Sequence, residues 1–144
     1  LLLGEGKAEY QGVVMTAIEA LGRAGLEAVT LEAKEGLALI NGTQAMTALG
    51  ALVLHDAGVL ATCADIAGAM SLEALKGTLS AFDEKVMTLR GHPGAAETAA
   101  NLRGLGQGSP IHKSHEDCEK IQDAYSLRCM PQVHGASRDA LRHA

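Results

Sequence analysis

From Gly36 to Leu54 the chain carries no formal charge, and most of the residues are Leu, Ala, Gly, Ile, Val or Met. A run of that kind must be buried, either in protein or in lipid, because apolar surface is expelled from water. A membrane-spanning helix needs about 20 predominantly apolar residues. Here that length is reached only by including Asn41, Gly42, Thr43 and Gln44. His55, Asp56 and Asp65 follow, and no Lys/Arg asymmetry flanks the run. The pattern therefore predicts a protein-buried helix from about Thr43 to Met70, apolar on most sides, and no membrane span. Gly50, Gly58 and Gly68 each weaken such a helix by about 1 kcal/mol relative to Ala, and suit close approach of a neighbouring helix. The polar island at 41–44 remains to be explained, since amides and hydroxyls are costly to bury without partners.

The rest of the chain also reads as helical. Val14, Ala17, Ile18 and Leu21 are spaced for a helix over 7–22 that stops at Gly22. A turn-rich connection with a short helical piece follows. Ser71 is placed to cap "LEALKG" and Ser80 to cap "AFDEKVMTLR". Pro93 and Pro131 suit the first turns of two further helices, "PGAAETAANLRG" and "PQVHGASRDALRHA". "LGQGSPIHKSHEDCEK" between them reads as a polar loop. With no alternating strand pattern, the expected class is all-α, part of a long-helix bundle. Leu1 lies inside an apolar run and Ala144 inside a helical pattern, so residues 1–144 are expected to be an internal fragment of a larger helical domain, cut at both ends.

Composition narrows the possible partners. Only 2% of the residues are aromatic against 47% hydrophobic, so the core must be aliphatic. The net charge of −5 and the lack of a Lys/Arg cluster argue against a nucleic-acid surface. Cys63, Cys118 and Cys129 form no C-x-x-C pair. So sparse a count fits a reducing compartment, and "LLLGEGKAEY" lacks the features of a signal peptide.

Two constellations could carry chemistry. Asn41-Gly42-Thr43 reads as a helix start, where Thr43 or Asn41 caps free N–H groups. The same groups could form a small anion site. In "QDAYSLRCMPQ", Gln122, Tyr125 and Arg128 are spaced by three and share one broad side. An amide, a phenol and a guanidinium together suit an amino-acid substrate, because Arg can hold a carboxylate bidentately and Tyr can exchange a proton. On spacing alone, a solvated polar face ahead of a Pro-initiated helix is the favoured account.

Other groups are weaker. His112, His115, Glu116, Asp117 and Cys118 lack a second ligand cluster, so no metal site is expected. Gly4-Glu5-Gly6 lacks the third glycine of a phosphate cradle. His55 and Asp56 read as a satisfied buried pair.

The stretches "LLLGEGKA", "TLEAKEGLALINGTQAMTALGALVLHDA" and "IQDAYSLRCMPQVHGASRDAL" resemble, in the same order, the central part of the histidine ammonia-lyases. These belong to the aromatic amino-acid ammonia-lyases, which use a 4-methylidene-imidazol-5-one (MIO) prosthetic group. The resemblance implies a helical bundle and the elimination of ammonia from L-histidine to give trans-urocanate, the first step of histidine degradation. It implies that Tyr125 is catalytic, that Arg128 binds the substrate carboxylate, that Gln122 binds substrate, and that Asn41 lies near both the prosthetic group and the substrate. A cytoplasmic homotetramer with shared active sites is implied as well. The prosthetic group forms from Ala-Ser-Gly, and no such triad occurs in this chain. These residues therefore hold only part of a site. The resemblance extends to tyrosine and phenylalanine ammonia-lyases and aminomutases. A non-catalytic helical assembly protein on the same scaffold is the reading from a different class.

Overall fold

A computed structural model describes all 144 residues, which divide into two compact units, 1–47 and 48–144. In the first unit, β1 (Lys7–Tyr10) pairs antiparallel with β2 (Val13–Thr16), and the chain continues into α1 (Ala17–Arg23). The helix expected over 7–22 is thus correct only for its second half. Gln11 and Gly12 both take left-handed φ values, +50° and +79°. That is the two-residue turn whose twist matches paired strands, and Val13, Val14 and Thr16 favour the extended backbone. Thr16 then starts α1 with a reciprocal cap: its Oγ1 accepts from Glu19 N–H, and its own N–H donates to the Glu19 carboxylate. The Thr16 hydroxyl also donates to the Glu19 carboxylate at 2.7 Å, and that bond, with the one from Thr16 N–H, holds the Glu19 carboxyl below its ordinary pKa.

α2 (Glu35–Asn41) ends the first unit's helical content, and α3 (Gln44–Ala74) begins after a two-residue break. Gly42 is extended there, and the Thr43 carbonyl accepts from Thr47 N–H at 2.8 Å. The polar island is therefore a joint between two helices. Asn41 is the last residue of the first helix, not a cap on the second. α3 runs through Ser71, whose hydroxyl donates to the Ala67 carbonyl inside the helix, so Ser71 caps nothing.

Only one stripe of α3 is covered. Asp65, Ala69 and Leu72 are buried and Ala57, Ala61 and Ala64 half-buried, at helical spacing, while Leu49, Leu52, Val53 and Leu60 are 64–69% exposed. The expectation of burial on most sides is not met within this chain. His55 and Asp56 are exposed rather than a buried pair. By length and composition alone, the stretch Glu35–Ala74, with a mean hydropathy of 1.5 over an 18-residue window, would suffice to cross a membrane.

The second unit closes around Ala69, Leu72, Phe82, Met87, Ala95, Ala99, Leu102, Leu127 and Met130. After α3, a 3-10 turn (Ser80–Phe82) leads to α4 (Glu84–Arg90), which is capped by Asp83 through Lys85 N–H at 2.8 Å. Ser80 does not cap it, because Asp83 is the acceptor nearer the first free N–H groups. α5 (Pro93–Gly106) begins at its proline as expected, and α8 (Met130–His143) begins one residue before Pro131, which sits in its first turn. α6 (Pro110–Lys113), capped by Ser109, adds one helical turn to the expected polar loop, and α7 (Tyr125–Arg128) leads into α8.

α5 and α8 meet backbone to backbone. The buried face of α5 is Gly94, Ala95, Thr98, Ala99, Leu102 and Gly106, small enough for α8 to approach at Gly135. A Cβ on Gly135 would lie 2.5 Å from Ala95 Cα. Of the three α3 glycines, only Gly68 serves such an approach, against Met130 Sδ; Gly50 and Gly58 face open space.

The polar centre of this unit is Asp65, 1% exposed. Its carboxylate accepts from Asn101 Nδ2 (2.8 Å) and Arg138 Nη2 (2.6 Å), and lies 2.8 Å from His134 Nδ1. Burial alone pushes the carboxyl up, but the bonds from Asn101, His134 and Arg138, with the Arg138 charge, outweigh it and hold the pKa below the ordinary value. Arg138 also bonds Glu97, which Arg142 pairs in turn.

Two outcomes follow for stability. Gly135→Ala should destabilise by about 1–3 kcal/mol, because backbone atoms of Ala95 cannot swing aside as a side chain could; the shift in denaturation midpoint measures it. Asp65→Asn should cost about 3 kcal/mol, the lower end for breaking a buried pair, because Glu97 still faces Arg138. Asp65 is depressed in the folded state, so its contribution is complete above the unfolded value of about 3.9. It is lost as pH falls through the folded value. Urea midpoints followed from neutral to acid pH should drop more steeply in the parent than in Asp65→Asn.

Candidate functional site

Leu127 is the residue that fixes the local geometry. It is 7% exposed and packs in the core of the second unit, pinning the single turn of α7. The residues around it then face outward: Tyr125 is 73% exposed and Arg128 half-buried. The Arg128 guanidinium carbon lies 5.8 Å from the centre of the Tyr125 ring, within range of a cation–π contact. Arg128 Nε donates to the Asp123 carbonyl at 2.9 Å, which fixes the plane of the fork while the terminal nitrogens point elsewhere. Tyr125 and Arg128 thus form one unit, two of the three residues whose spacing suggested a shared side; Gln122 lies outside the helical turn.

Gln122 is exposed and sits on the wall of a cavity of about 300 Å³. The cavity is also lined by Lys76, Thr78, His112, His115 and Lys120. Asn41 is exposed at the end of α2 in the first unit, whereas Gln122, Tyr125 and Arg128 belong to the second.

The histidine-rich segment is less free than a solvated loop. The rings of His112 and His115 meet edge to face at 5.6 Å. His115 Nε2 lies 3.0 Å from the Gly77 carbonyl and its Nδ1 2.6 Å from the Ile111 carbonyl. No three His, Cys, Asp or Glu side chains in the chain come together as a metal-ligand set.

Sequence reasoning missed Asp123, which is 5% exposed between exposed neighbours. Its carboxylate accepts from Thr78 N–H at 2.7 Å and pairs with Lys120 Nζ at 2.8 Å. Burial raises its pKa, but the Lys120 and Thr78 bonds and nearby positive charge prevail, and the carboxyl stays below its ordinary value. The signal that could have found it is an acid between Gln122 and Tyr125, both candidates for the site. Only the fold reveals its partner 45 residues away.

The sequence pattern of the aromatic amino acid lyases matches residues 1–144. A histidine ammonia-lyase of Sorangium cellulosum (strain So ce56) is 62% identical over 143 residues, covering 99% of this chain and 28% of that protein. Among solved structures, a tyrosine aminomutase of Streptomyces globisporus superposes with a TM-score of 0.78 at 39% identity, covering 99% of this chain and 31% of that one. The histidine ammonia-lyase of Trypanosoma cruzi superposes with a TM-score of 0.73 at 41% identity, covering 99% and 26%. The chain spans a little over a quarter of the length of the curated relatives it matches.

Proposed function

The chain belongs to the aromatic amino acid lyase family, and from that membership we propose that it is the central segment of a carbon–nitrogen lyase that eliminates ammonia from L-histidine to give trans-urocanate. The observation that carries the proposal is the Tyr125–Arg128 unit: an outward phenol and a guanidinium held 5.8 Å apart on a turn anchored in the core. Packing alone requires neither group at the surface. Histidine is favoured among amino acids by the names of the relatives that are 50–62% identical.

In this reading Arg128 binds the substrate carboxylate through its terminal nitrogens, since Nε is committed to the Asp123 carbonyl. Charge-assisted, bidentate bonding of this kind orients the substrate as well as holding it. Tyr125 moves a proton at its hydroxyl, and the exposed Gln122 amide adds a polar contact to the substrate. The exposed amide of Asn41 suits a hydrogen bond to a carbonyl-bearing prosthetic group or to the substrate. That donor set fits the MIO group, although its Ala-Ser-Gly source is not among these residues. When bound, the group supplies the electrophile that activates an otherwise poor amine leaving group.

The uncovered apolar faces of α3 fit an assembly in which further helices, including those of other subunits, complete the bundle; a cytoplasmic homotetramer is the form we propose. A bundle position also accounts for the apolar length of Glu35–Ala74 better than a bilayer does. The stretch is broken by Asn41–Gln44, and it carries Asp65 bonded to three polar side chains of the same unit.

An aminomutase is the second reading, favoured by the TM-score of 0.78 to the tyrosine aminomutase. The test is incubation of the full-length protein containing this chain with L-histidine and with L-tyrosine. Urocanate from histidine supports the lyase, and a β-amino acid from tyrosine supports the mutase. No product from either, nor from L-phenylalanine, leaves a non-catalytic assembly protein. In the active enzyme, Arg128→Ala should weaken histidine binding by about 1.5–3 kcal/mol, read as a rise in KM. Tyr125→Phe should lower kcat and leave the denaturation midpoint unchanged.

A further inference from the structure

We infer that Asp123 is a positioning residue: its side chain clamps the Gln122–Arg128 segment to the turn after α3 and so sets the placement of Tyr125 and Arg128. The inference rests on the role proposed above for those two residues.

Between α6 and α7, residues 114–124 form neither helix nor strand beyond turns. A segment of that kind is held only by the few bonds it makes to the rest of the fold. Asp123 supplies one at each of its ends. Its carboxylate Oδ2 accepts from Thr78 N–H at 2.7 Å, and its main-chain carbonyl accepts from Arg128 Nε at 2.9 Å. One residue therefore grips the body of the second unit with its side chain and the guanidinium of Arg128 with its backbone. It is buried while Gln122, Ala124 and Tyr125 on either side are exposed. A carboxylate is buried at high cost unless it is bonded, so its burial ties the segment to one depth.

The turn that receives it is shaped for the contact. Gly77 N–H donates to the Leu72 carbonyl at 2.7 Å and Lys76 N–H to the Glu73 carbonyl at 3.0 Å, closing α3 and leaving the next amide, Thr78 N–H, pointing at Asp123. A Cβ on Gly77 would stand 3.2 Å from Asp123 Oδ2 and closer still to Leu72. The glycine leaves the carboxylate its room. His115 holds the other side of the same turn through the Gly77 carbonyl. Lys120 balances the charge from within the loop at 2.8 Å.

The test compares Asp123→Ala with Asp123→Asn in the full-length protein, following kcat and KM for histidine and the hydrogen exchange of the Thr78 amide. Asn keeps the acceptor oxygen and the side-chain volume. It should retain most of kcat and KM and leave the Thr78 amide protected. Ala should expose that amide and lower kcat/KM on the order of ten- to a hundred-fold, the scale expected when reacting groups shift by an ångström or less. Both a lower kcat and a higher KM are expected, since Tyr125 and Arg128 move together. Should Asp123→Ala not fold, Asp123→Ser takes its place, with a hydrated side chain too short to reach Thr78. Unchanged kcat and KM in whichever variant folds would overturn the inference. So would a loss in Asn equal to that in Ala, or failure of both Ala and Ser to fold, which would make Asp123 a folding residue only. Absence of any product from the parent protein would defeat the enzymatic reading instead. The Thr78 exchange still reports whether the clamp exists.

Discussion

Three elements of the second unit converge on a single carboxylate, Asp65 of α3, with Asn101 on α5 and with His134 and Arg138 on α8. α5 and α8 already meet closely through Gly94 and Gly135. α3 is joined to that pair by the Asp65 bonds, by Gly68 against Met130, and by the side chains of Ala69 and Leu72. A buried charge tolerates little displacement, because any movement that breaks a bond leaves ions in a poorly polarisable medium. Aliphatic contacts would allow α3 to slide or rotate at small cost; the Asp65 carboxylate does not.

The candidate site depends on the same economy of anchors. Tyr125 and Arg128 are on a helix of one turn, too short to hold itself together. Leu127 in the core, Asp123 on the α3 turn and the continuation into α8 through Cys129 hold it in place. The exposed polar side chains of the candidate site thus do little packing, and the packing is done by their buried neighbours. The alternation of exposed and buried residues from Gln122 to Met130 records that division directly.

α3 shows the opposite imbalance. Toward its C-terminal end Asp65, Ala69 and Leu72 bury one stripe, while Leu49, Leu52, Val53 and Leu60 remain in the open. Exposed apolar area of this extent marks a surface made to be covered. In the proposed assembly, other helices cover it, and the Asn41–Gln44 joint at its head supplies polar groups where the apolar run begins.

Local rules were legible wherever one residue decides the outcome by its own covalent chemistry. Pro93 and Pro131 sit in the first turns of helices because a fixed φ and a missing N–H suit that place, and the apolar pattern over 43–70 gave the long helix to within a few residues at either end. The hairpin at 7–16 was missed because Val14, Ala17 and Ile18 also satisfy a helical period. The left-handed turn at Gln11-Gly12, which decides the matter, carries a weaker signature than Asn-Gly. Tyr125 and Arg128 were legible as a pair because neighbours three apart meet on one turn. Asp123 and Asp65 were not. Lys120 apart, their partners lie 36 to 73 residues away, and nothing in the spacing of an acid announces which distant amide or guanidinium will reach it. The sequence by itself determined the helical class, the two helices with proline in the first turn and the family's polar residues, all of which rest on local backbone preference and side-chain identity. Only the tertiary structure decided which carboxylates are buried, which face of α3 is left uncovered and what holds the site in place. Those outcomes come from long-range packing and desolvation, which no local pattern encodes.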